Sequence, residues 1–247
     1  MLPQRRPLDL IGHTLARAGR DLARLAVPVS CPGCGMRDVI WCEECEAPWW
    51  ERPLRSESTA PRLDVTGSPP LPVWSIAELV GPNHAMVSAW KDAGRRDLDR
   101  FFADAMRRAA EAIAPGLGGP IAVVPVPARV RSTRARGVDL PLLLAEAAAQ
   151  GLRDAGGQAH VAPALRIGAG EQRGAGDRGR WRHAASVHAT RKTWSPMRAL
   201  LVDDVVTTGA TISASARALE VTFLTVAAGL CLATTPASGA QGVHKVG

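Results

Sequence analysis

Residues 200–211 read Leu-Leu-Val-Asp-Asp-Val-Val-Thr-Thr-Gly-Ala-Thr. The apolar run at 199–202 predicts a buried strand, and the small hydroxyl residues beyond it predict a turn into a helix over 211–220. In an open parallel sheet, such a strand lifts the residues that follow it to the carboxyl edge, where ligands bind. Asp203 and Asp204 stand there as acceptors suited to two vicinal hydroxyls. Thr207, Thr208, Gly209 and Thr211 then offer hydroxyls and closely approachable backbone N–H groups, backed by the positive end of a helix. Diol acceptors followed by an anion cradle describe a site for ribose 5-phosphate. The bland alternative, a capped helix after a turn, explains the threonines and glycine more easily than the adjacent acids.

Outward from this stretch, apolar runs predict strands at 73–80, 121–126, 161–165 and 222–232. Helical periodicity predicts helices at 83–91, 98–113 and 139–152. The second carries Leu98, Phe101, Phe102, Ala105, Met106, Ala109 and Ile113 on one face, and Pro115 and Gly116 are expected to end it. Strands alternating with helices predict an α/β fold with a parallel sheet. Residues 8–26 read as an amphipathic helix, 51–72 as a linker or irregular crossing, and 168–183 as an exposed Gly- and Arg-rich loop. The expected organisation is an N-terminal helix, cysteine module and linker over 1–72, a main domain over 73–235, and a flexible tail over 236–247.

Composition narrows the function classes. The chain has 247 residues, 46% apolar, enough for a core. Aromatics are 4% and tyrosine is absent, which disfavours a nucleic-acid surface built on stacked rings. The net charge of +7 suits a phosphate-bearing partner, although arginine-rich composition alone accounts for it equally well. No apolar run is long enough to cross a bilayer and no secretory leader is evident, so a cytoplasmic protein is expected.

In that compartment clustered cysteines point to metal more than to disulfides. Cys31, Cys34, Cys42 and Cys45 form two Cys-x-x-Cys pairs seven residues apart, with Gly33 and Gly35 easing tight turns. Four thiolates so spaced suit a structural, tetrahedral Zn²⁺; redox pairs or an iron–sulfur site are the alternatives. Cys231, inside the last apolar run, reads as a core residue.

Taken together, the motifs resemble those of the ComF/GntX family of competence-associated, type I phosphoribosyltransferase-like proteins. The order agrees: the four-cysteine module, Trp-Lys-Asp-Ala-Gly-Arg-Arg-Asp-Leu at 90–98, Val-Val-Pro-Val-Pro at 123–127 with Arg-Ala-Arg-Gly at 134–137, and the diol–phosphate motif. The chain departs from the family pattern at Asp92, where an aromatic is usual, and at 138–140, where Val-Asp-Leu replaces Phe-Asn-Gln. The resemblance implies a type I phosphoribosyltransferase-like core binding 5-phosphoribosyl 1-pyrophosphate. It implies Asp203 and Asp204 on the diol, and Val205, Val206, Thr207, Thr208, Gly209, Ala210 and Thr211 around the 5′-phosphate. It places Lys91, Arg95, Pro125 and Arg136 on the pyrophosphate side, with Mg²⁺ on the ligand's oxygens. An enzyme acting on a nitrogenous acceptor and a non-catalytic sensor both remain open. So does an accessory factor in DNA uptake, meeting single-stranded DNA or a helicase.

Overall fold

The computed structural model describes residues 29–63, 70–128, 137–168, 187–190 and 197–236. The expected helix at 8–26, nearly all of the loop at 168–183, and the tail beyond residue 236 lie outside the described residues. In chain order the elements are α1 (Glu43–Glu46), β1 (Leu54–Arg55), β2 (Val73–Glu78), α2 (Gly81–Lys91), α3 (Leu98–Leu117), β3 (Ile121–Pro125), α4 (Leu140–Asp154), β4 (Ala159–Val161), β5 (Leu165–Ile167), β6 (Val187–Ala189), β7 (Met197–Val206), α5 (Ala210–Leu219) and β8 (Leu224–Thr234). The fold is mixed α/β.

A six-stranded sheet runs in the order β1-β2-β8-β7-β3-β4. All its pairings are parallel except that of β1 with β2. The central strands β7 and β8 are apolar along most of their length, as strands covered on both faces must be. Side chains alternate between the two faces. Leu200 and Val202 join the core beneath α3 and α4, whereas Ala199 and Leu201 join the core shared with α5. The antiparallel ribbon β5–β6 lies outside the sheet.

Three local expectations change. Pro115 and Gly116 do not end α3, which continues to Leu117 and stops at Gly118 with φ 60°. The hydrogen bond that Pro115 cannot donate would fall on the carbonyl of Glu111, an exposed residue on the solvent side of the helix. The strand expected at 161–165 is split by Pro163 into β4 and β5. Finally, β7 does not stop at Val202 but carries pairing through Asp203 to Val206, because Val205 and Val206 remain in register with Ala233 and Thr234.

The chain leaves β3 toward β4 by way of α4, and leaves β7 in the opposite direction, toward β8, by way of α5. Adjacent parallel strands whose connections diverge open a crevice at their carboxyl ends, the usual ligand position in such sheets. Pro125 and Val202 are register partners at that point.

Candidate functional site

The crevice between β3 and β7 is flanked by the first acidic residues of the motif. Asp203 lies opposite Cys231 of β8. The backbone N–H of Asp204 donates to Asp203 Oδ1 at 2.8 Å, fixing one carboxyl against the other residue's peptide. Alternation turns Asp204 to the face of α2, where Lys91 Nζ stands 2.7 Å from its Oδ2. Lys91 is the last residue of α2, and its side chain thereby ties the end of that helix to β7.

Burial and the neighbouring Asp204 charge push the Asp203 carboxyl up to about 8, against the opposing pull of the Asp204 N–H and Lys91. Lys91 is thus the cation set against this pair of acids, on the Asp204 side. Burial, with Asp203 and Asp204 alongside, also raises the Cys231 thiol well above its ordinary range, which suits a core residue.

Beyond Val206, Thr207, Thr208 and Thr211 are exposed and Ala210 is half-buried. Gly209 caps α5 in the left-handed region, at φ 76°. A Cβ on Gly209 would sit 2.5 Å from Leu63 Cγ and 3.2 Å from Ala60 Cβ, so a side chain is excluded by packing as well as by backbone conformation. Those two residues belong to the segment before β2, whose described part is no loose linker. Its Ala60 and Leu63 are buried, the Arg62 N–H donates to Thr208 O at 2.9 Å, and the hydroxyls of Thr59 and Thr234 share a 2.7 Å hydrogen bond. No local pattern announces these contacts, because they join residues more than a hundred positions apart.

The residues expected on the pyrophosphate side do not all converge. Pro125 ends β3 beside the crevice, and Lys91 reaches Asp204. Arg95 is committed elsewhere. Its Nε and Nη2 hold Asp97 at 2.9 and 2.7 Å, and its Nη1 and Nη2 donate to Ser30 O at 3.1 Å and Ile40 O at 3.3 Å. Arg136 lies outside the described residues.

The cysteine module forms a second centre. Cys31 and Cys34 flank a tight turn closed by Gly35 N–H to Cys31 O, and Cys42 caps the short helix α1 that carries Cys45. Gly33 is required by proximity, since a Cβ there would lie 2.6 Å from Cys45 Sγ. The four sulfurs lie within 4.8 Å of one another, with Cys31–Cys42 at 3.8 Å and Cys34–Cys42 at 3.6 Å. Ligands about 2.3 Å from a tetrahedral ion stand about 3.8 Å apart, so the set fits a thiolate-bound metal. Burial raises the Cys31 thiol, but the backbone N–H groups of Cys34, Cys42 and Gly33 outweigh it and hold the group at about 6, whereas burial and the adjacent thiols drive Cys45 far up. Thiols this close cannot all ionise without a cation among them. The module is packed on the main core: Trp49 and Phe102 stack edge-on at 4.8 Å, and Trp41 and Trp50 flank Phe101.

A cavity of about 220 Å³ lies at the opposite, amino edge of the sheet, between Pro115, Leu117, Ile121 and Leu152, far from these acids. No helix among the described residues is long and apolar enough to cross a membrane. No protein-family profile matches the chain, and no curated protein matches it significantly.

Proposed function

We propose that this protein binds 5-phosphoribosyl 1-pyrophosphate in the manner of a type I phosphoribosyltransferase-like protein, at the carboxyl ends of β3 and β7. The observation that carries this reading is the position of Asp203 and Asp204. The acidic pair preceding a threonine- and glycine-rich turn stands where the sheet connections diverge. The diol lies on Asp203 and Asp204, the 5′-phosphate over 207–211, and the pyrophosphate toward Pro125 and Lys91.

The chemistry of such a site is phosphoribosyl transfer. The bond from C1 of the ribose to pyrophosphate breaks, the bond to a nitrogen of the acceptor forms, and the acceptor's proton is released. Mg²⁺ bound with the ligand would supply charge neutralisation. The chain's own contribution is positioning: acids fix the sugar, and the turn fixes its phosphate. Thiolate donors favour zinc for the cysteine cluster, and a closed set of four thiolates leaves no position for catalysis. None of the five cysteines is in a disulfide, as a set of metal-binding thiolates and a core cysteine requires.

Calorimetric titration of the zinc-loaded protein with 5-phosphoribosyl 1-pyrophosphate and Mg²⁺ tests the reading. Saturable binding that ribose 5-phosphate competes away is expected; no heat and no competition at millimolar ligand refutes it.

A further inference from the structure

The cysteine module touches both ends of α2. At the start of the helix, Pro82 Cβ lies 3.2 Å from the position a Cβ on Gly33 would take, between the first two cysteines. Past its end, Arg95 reaches the module's backbone at Ser30 O and Ile40 O, the carbonyls that precede Cys31 and Trp41. Asp97 holds the same guanidinium through Nε and Nη2. The turn between Lys91 and α3 is held as well by Arg95 N–H on Ala89 O and Leu98 N–H on Arg95 O, each at 3.1 Å, by Trp90 Nε1 on Asp99 at 2.6 Å, and by Arg96 Nη2 on Trp90 O at 2.9 Å. Lys91, at the centre of this frame, reaches Asp204.

We infer that Arg95 is a positioning residue: it transmits the folded state of the four-cysteine module to the end of α2, and so sets Lys91 against Asp204. A planar guanidinium is suited to this. Its donors are fixed in one fork and can hold two carbonyls and a carboxylate together, which a lysine ammonium does only one geometry at a time. Loss of metal from the cysteines frees the loops carrying Ser30 and Ile40. Arg95 then loses two of its acceptors, the turn at 92–97 loosens, and the ammonium of Lys91 is no longer held at the acidic pair. The metal module thereby gates the site from a distance without contacting ligand. The consequence for ligand affinity rests on the reading under Proposed function; the mechanical link does not.

The test uses full-length Arg95→Ala and Arg95→Lys beside wild type, each zinc-loaded and metal-stripped. Cobalt substitution gives a thiolate-to-metal absorption band that checks the cysteine site, and circular dichroism checks folding. Hydrogen exchange is followed in peptides covering residues 86–98, and calorimetry uses ribose 5-phosphate and 5-phosphoribosyl 1-pyrophosphate with Mg²⁺. Cobalt-substituted Arg95→Ala is expected to keep the thiolate-to-metal band, while the zinc-loaded variant exchanges faster at 88–98, as stripped wild type does, and binds both ligands about tenfold more weakly. Arg95→Lys should recover part of both effects. Unchanged exchange at 88–98 in Arg95→Ala overturns the inference. So does unchanged exchange accompanied by weaker binding of the pyrophosphate ligand alone, which would place Arg95 on the ligand itself. If wild type binds neither ligand, the phosphoribosyl reading fails while the exchange measurements still decide the link.

Discussion

Lys91 holds its ammonium 2.7 Å from Asp204 Oδ2, joining the last residue of α2 to the acidic pair of β7. Both side chains are mostly covered, at 25% and 14% exposure, so the pair is screened less than a surface ion pair. A double-mutant cycle with Lys91→Met and Asp204→Asn should give a coupling of about 1–2 kcal/mol in urea unfolding. A coupling near zero would mean that the contact contributes nothing to the fold and that Lys91 is released at no cost.

Asp203 links the same site to pH. Its folded-state value, about 8, is raised above that of an unfolded aspartate. The stability it lends is therefore complete below about pH 4 and is lost as pH climbs to about 8, at no more than about 1.4 kcal/mol per pH unit. Asp203→Asn should flatten this stretch of the stability–pH curve and stabilise the protein above pH 8. A variant curve parallel to wild type between pH 5 and 9 would show that Asp203 is ionised throughout.

The cysteine cluster predicts about one metal ion per chain in protein purified without chelator. Chelation should alter tryptophan fluorescence, because Trp41, Trp49 and Trp50 of the module pack on Phe101 and Phe102 of α3. Cys42→Ser should cost several kcal/mol of stability, since Cys42 is buried and its sulfur lies 3.8 Å from that of Cys31 and 3.6 Å from that of Cys34. Metal-free protein with native fluorescence and unaltered melting would remove the structural role.

Much of this was legible in the sequence, and the boundary has a physical cause. Alternating apolar runs revealed the parallel sheet, and cysteine spacing revealed the convergent sulfurs, because both are local patterns. Asp203 and Asp204 fell at the carboxyl edge for the same reason. The upward push on the Asp203 carboxyl was not legible, since it depends on burial beside Cys231 and on the Asp204 charge, with Lys91 arriving to oppose it. Nor was the fate of Arg95: its charge fitted a ligand role, and only the fold brought Ser30 and Ile40 to it. The tight cover of Gly209 by Leu63 belongs to the same class.

That cover changes what a substitution at Gly209 means. Gly209→Ala should destabilise the protein by about 1–3 kcal/mol before any ligand is considered, from the left-handed backbone and the clash with Leu63. Adding Leu63→Ala should not restore wild-type stability, because the backbone strain stays and a cavity is added. Thr208→Ala, at an exposed position, should leave stability within about 0.5 kcal/mol. A stable Gly209→Ala would contradict the packing of 60–63 over the turn.

The two acids should differ in what they give a ribose ligand. The Asp203 carboxyl is pushed up toward its neutral form, and Asn at that position is a neutral donor–acceptor group of similar size. Asp204 offers the carboxylate, with Lys91 beside it. Charge-assisted hydrogen bonds are worth about 1.5–3 kcal/mol each, so Asp204→Asn should weaken ribose 5-phosphate binding about tenfold or more. Asp203→Asn should cost clearly less at pH 7, and its cost should grow toward pH 9 as the wild-type acid ionises. A 2′,3′-dideoxy analogue lacks the hydroxyls that the pair would hold, and its weaker binding should be insensitive to either change. Calorimetry across pH 6–9, with circular dichroism to confirm folding, separates these cases. Folded Asp203→Asn/Asp204→Asn protein that binds ribose 5-phosphate as wild type does would take the diol off the acidic pair, and the phosphoribosyl assignment would go with it.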